Sequence, residues 1–216
     1  MKRITFIAGH YGSGKSEFSL NLAIQKKVSM LVDLDIVNPY FRSRELETLL
    51  NEYHVKMISS TLDNALGSDL PFISSKAFQP FANPQQTAIF DLGGDGVGAK
   101  LMRQFTDFVN KDEADLLFCI NVYREETDDA LKIIKMINQI EGSSGFKVTG
   151  LINNSNFLRE TTIDDVLNGQ AIIEQVAIKT HLPIVYTGLY EKIDYHQSSL
   201  SGEIILLKLY LRKSWL

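Results

Sequence analysis

The sequence has a single cysteine, Cys119, among its 216 residues. One thiol excludes a disulfide framework and a cysteine-rich zinc or iron–sulfur site within one chain. Even a symmetric dimer would supply only two such thiols, whereas a cluster of this kind usually takes about four. Cys119 lies within an apolar run, so we interpret it as a small core residue rather than a nucleophile.

The sequence also has little excess of charge of either sign, and it has no long apolar run. The chain carries 22 Lys+Arg against 26 Asp+Glu, a formal net charge of -4, which argues against a dedicated nucleic-acid binder. No stretch approaches the roughly 18–20 apolar residues of a membrane span, and the apolar run at 4–8 is too short for a signal-peptide core. The sequence therefore predicts a cytoplasmic protein without a membrane span.

The sequence does contain enough apolar material for a folded core. Its hydrophobic content is 44%, too high for disorder at this small net charge, and its length fits a single domain over 1–216. Short apolar runs alternate with helical patterns. The runs that indicate strands lie at 4–8, 30–32, 87–92, 116–122, 148–152 and 184–187. The helical patterns lie at 15–26, 43–52, 98–110, 169–180 and 202–213, and a further one begins near Thr127.

The alternation defines the expected fold class. Several apolar runs are unbroken, as expected of parallel strands covered on both faces. We predict a doubly wound, mostly parallel α/β sheet of about seven strands with helices on both faces. The helix near Thr127 is expected to hold Asp128 and Asp129 in its first turn. The pattern at 202–213 predicts a terminal helix packed on the sheet rather than a membrane-seeking one.

Residues 61–86 interrupt this alternation. They hold three of the five prolines, Pro71, Pro80 and Pro84, with phenylalanines between them. A long irregular segment is typical of a lid or a binding surface. It is also compatible with an excursion that covers an edge of the sheet, and both interpretations stay open.

The segment 9–16 reads GHYGSGKS, which matches the phosphate-binding pattern G-x-x-x-x-G-K-[ST]. Glycines let the backbone turn so that consecutive N–H groups face a phosphate chain, and the helix that follows adds its N-terminal dipole. We expect Lys15 to reach the β- and γ-phosphates and Ser16 to ligate Mg²⁺. The alternative is a glycine-rich turn that only links strand and helix. The expected nucleotide contacts are Gly9, Gly12, Ser13, Gly14, Lys15, Ser16 and Glu17.

A second polar feature ends the predicted strand at 87–92. Asp91 stands in this apolar run and is followed closely by Gly93 and Gly94. A carboxylate at the end of a buried strand is costly unless its charge is used, so we expect Asp91 to hold Mg²⁺ through water. Gly94 would offer its N–H to the γ-phosphate and act as a switch. The alternative for Asp91 is a capping or turn residue.

Asp33 and Asp35 follow the predicted strand at 30–32 and precede a turn fixed by Pro39. Asp35 is expected either to position the attacking water or to approach the metal. Arg42 and Arg44 come next, and either is a candidate partner for phosphate or for Asp35. The alternative is a solvated turn with local ion pairs. The predicted catalytic residues are Lys15, Asp35 and Asp91, and the predicted metal ligands are Ser16, Asp35 and Asp91.

The segments 9–16, 32–35 and 91–94 resemble the MinD/ParA-like ATPases of the SIMIBI class, also called the CobQ/CobB/MinD/ParA nucleotide-binding domain, over roughly residues 3–190. The resemblance implies a mostly parallel sheet, binding of ATP and Mg²⁺, and often an ATP-dependent homodimer. That family usually carries a signature lysine directly after the first glycine of the loop, which reaches the partner's nucleotide. His10 stands there instead, so the sequence resembles a divergent branch.

The predicted strand at 148–152 is followed by Asn153, Asn154, Ser155 and Asn156. Related GTPases carry Asn-Lys-x-Asp at this place, and the aspartate pairs with guanine. Here Asn156 takes the aspartate's place and cannot supply a charged double acceptor. The sequence therefore favours adenine. The resemblance implies that Asn153 or Asn154 contacts the base, the alternative being ordinary loop asparagines.

Three functions fit these features. The first is an ATPase that acts as a nucleotide-dependent switch or regulator of an unknown protein partner. The second is a small-molecule kinase or ATP-dependent ligase of the dethiobiotin-synthetase type, with 61–86 as the acceptor pocket. The third is an ATP-binding scaffold or metalloenzyme accessory protein with negligible turnover. The four histidines show no metal-ligand spacing, so ATP and Mg²⁺ are the expected cofactors, and no nucleic-acid partner is expected.

Overall fold

A computed structural model describes residues 1–35, 44–59, 73–94, 96–195 and 199–211. Eight strands of this part form one sheet: β1 Ile4–Gly9, β2 Met30–Leu34, β3 Lys56–Ser59, β4 Ala88–Leu92, β5 Ala114–Ile120, β6 Gly150–Asn153, β7 Ile184–Tyr190 and β8 Glu203–Leu207. The α-helices are α1 Lys15–Lys26, α2 Arg44–Glu52, α3 Gln79–Ala82, α4 Gly96–Leu101, α5 Ala130–Ser144 and α6 Ile163–Thr180. Short 3₁₀ turns lie at Ser75–Phe78, Met102–Phe105, Lys111–Glu113, Glu125–Thr127 and Leu158–Glu160.

The strand order is β3-β2-β4-β1-β5-β6-β7-β8, and every neighbouring pair is parallel. Phe6 of β1 belongs to an apolar cluster with Ile133 of α5 and Ile173 of α6. The next residue, Ile7, belongs to a second cluster with Phe18 of α1. Successive residues of a strand face opposite sides, so an unbroken apolar strand requires helices on both faces. The predicted doubly wound α/β fold is therefore confirmed.

Side-chain caps explain where α5 and α6 begin. α1 has the bounds that the sequence predicts. The Asp129 carboxylate accepts hydrogen bonds from the N–H groups of Leu131 and Lys132, so Asp129 caps α5 from outside rather than standing in its first turn. α6 begins six residues before its predicted start at 169, because Thr162 and Asp165 form a capping box.

Two predicted helices differ from the described structure. The segment at 202–213 is wrong as a helix, because its described part forms strand β8. Ile205 and Leu207 are buried, whereas Ile204 is half-buried and Leu206 is exposed, and this alternation is that of a strand. The predicted helix at 98–110 passes into a 3₁₀ turn after Leu101. Strands β3 and β8, neither of which was predicted, bring the number of strands in the sheet to eight.

No helix among the described residues is long and apolar enough to span a membrane.

Part of the irregular segment 61–86 packs into the core. Pro71 lies outside the described residues, whereas 73–86 is described. Phe78 and Phe81 contact Phe105 with ring centroids 4.9 and 5.3 Å apart, and Phe81 stacks on Phe90 of β4 at 5.5 Å. Since β4 is an interior strand, this part covers a face of the sheet rather than the edge that the excursion was expected to cover.

Candidate nucleotide-binding site

The loop after β1 requires glycine at several positions. Gly12 and Gly14 have φ angles of +77° and +79°, in the left-handed region that favours glycine. A Cβ on Gly9 would overlap the carbonyl oxygen of Cys119, and a Cβ on Gly14 would lie 2.6 Å from Nδ2 of Asn154. The loop therefore packs directly on β5 and on the segment after β6 before the chain turns into α1.

Buried groups fix the peptide group between Ser13 and Gly14 by hydrogen bonds. Its carbonyl oxygen accepts hydrogen bonds from Asn154 Nδ2 at 2.7 Å and from Cys119 Sγ at 3.8 Å. The C=O and N–H of a trans peptide point in opposite directions, so these contacts direct the Gly14 N–H away from the core. Burial raises the pKa of the Cys119 thiol to about 12, which keeps the thiol a neutral donor, in keeping with a core residue.

Asp91 of β4 lies beside the first turn of α1. Ser16 donates its hydroxyl hydrogen to Oδ2 at 2.6 Å, Ser19 donates to Oδ1 at 3.1 Å, and the carboxyl group is fully buried. Burial raises the pKa of Asp91 to about 6, although the Lys15 charge and both serine hydrogen bonds lower it, and the Asp35 charge adds to the rise. A divalent cation would offset the cost of this buried charge. The hydroxyl and carboxylate oxygens of the pair are donors that Mg²⁺ takes.

Asp35 comes directly after β2 and is buried together with Asp33. Asp33 Oδ1 accepts a hydrogen bond from the Asp35 N–H at 2.9 Å, so Asp33 shapes the turn while Asp35 lines a cavity with Lys15. The described residues contain no group of three or more His, Cys, Asp or Glu side chains suited to a metal. A cation here would need phosphate and water as further ligands. Arg42 and the Arg44 side chain lie outside the described structure.

Gly94 brings the chain after β4 into contact with the loop. A Cβ on Gly94 would lie 2.7 Å from the backbone nitrogen of Tyr11 and 3.0 Å from Nζ of Lys15. The Gly94 backbone therefore meets the loop where the Lys15 ammonium group lies. This contact is compatible with the predicted place of Gly94 beside a terminal phosphate, whereas its hydrogen bond to that phosphate stays a prediction.

A cavity of about 240 Å³ opens above the loop, between the turn after β2 and the segments that follow β5, β6 and β8. The predicted contacts that line it are Gly12, Gly14, Lys15, Ser16, Glu17 and Asp35. The lining residues that were not predicted as contacts are Tyr11, Arg124, Asn156, Leu158 and Leu211. The cavity thus combines a cationic end at the loop with apolar walls farther out.

Arg124 is a cation of this cavity that no sequence motif indicates. Its Nε donates to the carbonyl oxygen of Gly12 at 3.0 Å, and the side chain lines the cavity with Lys15. Among the residues that the structure describes, its terminal guanidinium nitrogens have no hydrogen-bond or ion-pair partner. A guanidinium group in this position suits phosphate oxygens. The available sequence signal is its place just after the carboxyl end of a predicted strand.

The asparagines after β6 do not take the places expected of them. Asn153 and Asn154 are buried, the first bonded to surrounding backbone and the second to Ser13, and neither lines the cavity. Asn156 does line it, but its Nδ2 donates to the Asn154 carbonyl oxygen at 2.6 Å and its Oδ1 accepts the Leu158 N–H at 3.1 Å. The expected base contact of Asn153 or Asn154 therefore has no support in this arrangement.

Glu17 lines the cavity but holds protein rather than ligand. Its carboxylate accepts hydrogen bonds from the N–H groups of Tyr210 at 2.8 Å and Leu211 at 3.0 Å. These bonds fix the chain after β8 against α1 and make Leu211 a wall of the cavity. Glu17 thus shapes the site through Leu211, in contrast to the direct nucleotide contact expected of it.

No protein-family model and no curated protein matches this chain, but solved structures match it in fold. FtsY from Thermotoga maritima has a TM-score of 0.56 at 17% identity, over 88% of this chain and 62% of that chain. FtsY from Mycoplasma mycoides has 0.53 at 18%, over 89% and 62%. The signal recognition particle receptor FtsY from Elizabethkingia anophelis in complex with GDP has 0.52 at 19%, over 89% and 58%.

The chain covers about three fifths of the length of these structures, and identities this low bear on the fold alone. The chain has a P-loop NTPase-like α/β fold, which it shares with these FtsY structures. The MinD/ParA-like proteins that the sequence resembles form a related branch of the SIMIBI class. The resemblance is thus confirmed at the level of the fold.

Proposed function

We propose that this protein binds ATP with Mg²⁺ at the loop 9–16 and works as a nucleotide-dependent switch on a protein partner. The observation that carries the proposal is the buried contact of Ser16 with Asp91 beside Lys15. It sets a hydroxyl, a carboxylate and an ammonium group where phosphates at the N-terminus of α1 would lie. A turn that only linked β1 to α1 would not need a buried carboxyl group with a pKa near 6.

In this proposal each residue of the site has a separate role in binding the phosphates and the metal. Lys15 binds the β- and γ-phosphates, and the Gly14 N–H donates a hydrogen bond to the same phosphates. Ser16 ligates Mg²⁺ directly, Asp91 does so through water, and Asp35 approaches the metal shell. Bound Mg²⁺ supplies neutralisation of the phosphate charge.

The switch itself is assigned to Gly94 and the chain that follows it. Its N–H donates to the γ-phosphate, so loss of that phosphate releases the segment after β4. The next helix, α4, is coupled to this segment, because a Cβ on Gly98 would lie 2.5 Å from the Gly93 carbonyl oxygen. α4 packs in turn on α5. We expect slower amide exchange across 96–101 with a non-hydrolysable ATP analogue than with ADP.

The choice of adenine rests on Asn156. A guanine-specific site needs a charged acceptor for two guanine hydrogens, whereas the Asn156 amide bonds to the backbone of Asn154 and Leu158. Leu158 and Leu211 offer apolar walls that suit either purine ring. One structural relative is a complex with GDP, so GTP is the competing ligand in the test.

Equilibrium titration with labelled ATP and GTP, with and without Mg²⁺, tests the proposal. Lys15→Ala removes the central phosphate contact and is expected to weaken ATP binding about 100-fold, close to 2.7 kcal/mol. Arg124→Ala is expected to weaken it roughly 10-fold, and Arg124→Lys to recover part of this, because lysine keeps the charge but loses the fork. Lys179→Ala, at an exposed lysine in the last turn of α6, is the matched control.

The outcomes separate the parts of the proposal. Undiminished ATP binding by Lys15→Ala contradicts the site. Tighter binding of GTP than of ATP leaves the site in place and overturns the base assignment. Phosphate release is measured on the same samples, and ATP that stays bound for hours without cleavage favours a scaffold over an ATPase.

A further inference from the structure

A further cavity lies beside His10. His10 is absent from the lining of the nucleotide cavity, and it lines instead a space of about 190 Å³ that we name the α5 cavity. The remaining lining residues are Gly94, Ala99, Met136, Gln139, Ile140 and Ser143. Apart from His10, every lining residue is apolar or a neutral amide, hydroxyl or glycine. Such walls suit a small uncharged occupant, because a charged one would find no counter-charge there.

The α5 cavity borders the phosphate end of the nucleotide site. Gly94 lines the cavity, and the same residue packs against Nζ of Lys15 and the backbone of Tyr11. The Gly94 backbone therefore borders both the α5 cavity and the ammonium group proposed to hold the γ-phosphate. An occupant of the cavity would approach the terminal phosphate past this backbone.

The carboxylate of Glu126, a half-exposed side chain, lies beside the His10 ring. The Nδ1 atom of His10 is shielded from solvent, has no hydrogen-bond partner among the described residues, and lies 3.6 Å from Oε2 of Glu126. Glu126 belongs to a turn anchored by Thr127, which is fully buried and donates to the Asn121 carbonyl oxygen at 2.7 Å. A carboxylate facing Nδ1 favours the tautomer with the proton on Nδ1, which leaves Nε2 as an acceptor. Catalytic hydrogen bonds are often long before ligand binds and tighten in the complex.

We propose that the α5 cavity holds the nucleophile that attacks the terminal phosphate, a neutral O–H compound, and that His10 accepts its proton with Glu126 as the positioning residue. The proposal rests on the nucleotide site proposed above. The nucleophile's oxygen bonds to the γ-phosphorus while the bond from that phosphorus to the β,γ-bridging oxygen breaks. ADP leaves with the electron pair, and the hydroxyl proton passes to Nε2 of His10.

Two occupants share this chemistry. Water would give inorganic phosphate, and a small alcohol would give its phosphate ester. The cavity of about 190 Å³ is several times the roughly 30 Å³ share of one water molecule in the liquid, so it accommodates either. Asp35, which lines the other cavity, keeps its proposed place beside the metal.

Single-turnover cleavage of ATP bound with Mg²⁺ tests the role of His10. His10→Gln is expected to slow cleavage about 100-fold, the usual size of a lost general base, and Glu126→Gln about 10-fold, while the Kd for ATP changes less than about twofold. His10→Lys is expected to be as slow as His10→Gln, because a protonated amine cannot accept the proton. His54→Asn, at an exposed histidine with φ of +58°, is the control.

Unchanged cleavage in His10→Gln overturns the proposal. Wild-type cleavage in His10→Lys overturns it too, since position 10 would then act as a cation. Loss of ATP binding by the wild type is a different result, which refutes the nucleotide site instead. The assignment of the cavity is also overturned if the wild type binds Mg²⁺ and ATP but does not cleave ATP, either in water alone or with added glycerol.

Glycerol is the probe that separates the two occupants, with phosphorus NMR to distinguish inorganic phosphate from glycerol phosphate. Ester formation that Ile140→Trp abolishes assigns the cavity to an alcohol, because the indole fills the space. Phosphate alone, with cleavage slowed by His10→Gln, assigns it to water. Ester formation that persists in Ile140→Trp, with ATP affinity intact, contradicts the location of the nucleophile.

Discussion

Asp91 is a buried carboxyl group whose ionisation is linked to the stability of the protein. Burial raises its pKa from 3.8 to about 6. The folded state therefore binds this proton more tightly than the unfolded state does, and the contribution of Asp91 to stability falls as the pH rises from about 4 to about 6. This rise in the pKa corresponds to about 3 kcal/mol. At neutral pH the ionised Asp91 carboxylate lowers the free energy of unfolding by that amount, unless a cation offsets it.

Asp91→Asn is expected to remove this dependence, because the amide does not ionise. Relative to the wild type, the variant should gain about 3 kcal/mol of unfolding free energy between pH 4 and pH 7, measured by urea denaturation without Mg²⁺. Mg²⁺ with ATP should stabilise the wild type far more than the variant. Asp112→Asn, at an exposed aspartate, is the control. A gap between wild type and variant that stays constant with pH would contradict the assigned pKa.

At the scale of single residues, the sequence predicts contacts between residues that belong to known motifs. It does not predict contacts between residues that only the folded chain brings together. Ser16 and Asp91 were expected to share a metal, and they are in contact. Arg124 lies 112 positions from Gly12, and no local pattern links the two. Among the neighbouring asparagines, the turn after β6 decides which side chain faces the cavity, and it selects Asn156.

Helix α1 follows the loop 9–16 and also contacts the edge of the sheet. Its residues Glu17, Asn21 and Gln25 are four apart and so share one face, and each bonds to backbone of the segment 206–211. This segment follows or belongs to β8, which has a strand neighbour on one side only. Side chains of α1 thus satisfy backbone groups that an edge strand leaves unpaired.

Asn21→Ala is expected to lower the free energy of unfolding by about 1–3 kcal/mol, because it leaves partly buried backbone groups without partners. Asn21 Nδ2 donates to the Lys208 carbonyl oxygen at 2.9 Å, and its Oδ1 accepts the Lys208 N–H at 2.9 Å. Amide exchange at 208–211 should also become faster. Gln25→Ala removes one exposed bond to Leu206 and should cost less than half as much. Equal effects of the two substitutions would argue against the proposed role of Asn21.

The same edge shows why an element can be misread from sequence. The apolar segment at 203–207 is too short for its periodicity to separate strand from helix, and its place beside β7 and α1 decides the outcome. The start of α1 was predictable because Lys15 directly follows Gly14. The φ angle of Gly14 is +79°, a backbone conformation that favours glycine over other residue types. Local chemistry fixes that boundary, whereas tertiary pairing fixes β8.

For the whole molecule, the strand order explains why the polar segments meet. β1 lies between β4 and β5, with β2 beyond β4 and β6 beyond β5. The carboxyl ends of these five parallel strands share one edge of the sheet, where ligands bind in such folds. The alternation of apolar runs predicts a parallel sheet but not this order, so the convergence of Asp35, Asp91 and Arg124 on one loop becomes visible only in the folded chain.

The resemblance implies an ATP-dependent homodimer, and we predict that it would form through the rim of the cavity. Tyr11 is 57% exposed and lines the cavity. Phe157, 47% exposed, packs at a tilt against Tyr123 and precedes Leu158, which forms part of the cavity wall. Exposed aromatic side chains of this kind are the usual anchors of an interface. A bound nucleotide would fill the space between them and extend the apolar surface.

Light scattering is therefore expected to show the mass rising from 24.3 kDa towards twice that value when Mg²⁺ and a non-hydrolysable ATP analogue are added. Tyr11→Ser and Phe157→Ser should each weaken this association at least about 10-fold, the loss of one good anchor. Ile178→Ser is the control, because Ile178 is 74% exposed near the far end of α6. A chain that stays monomeric with saturating analogue would contradict the predicted homodimer.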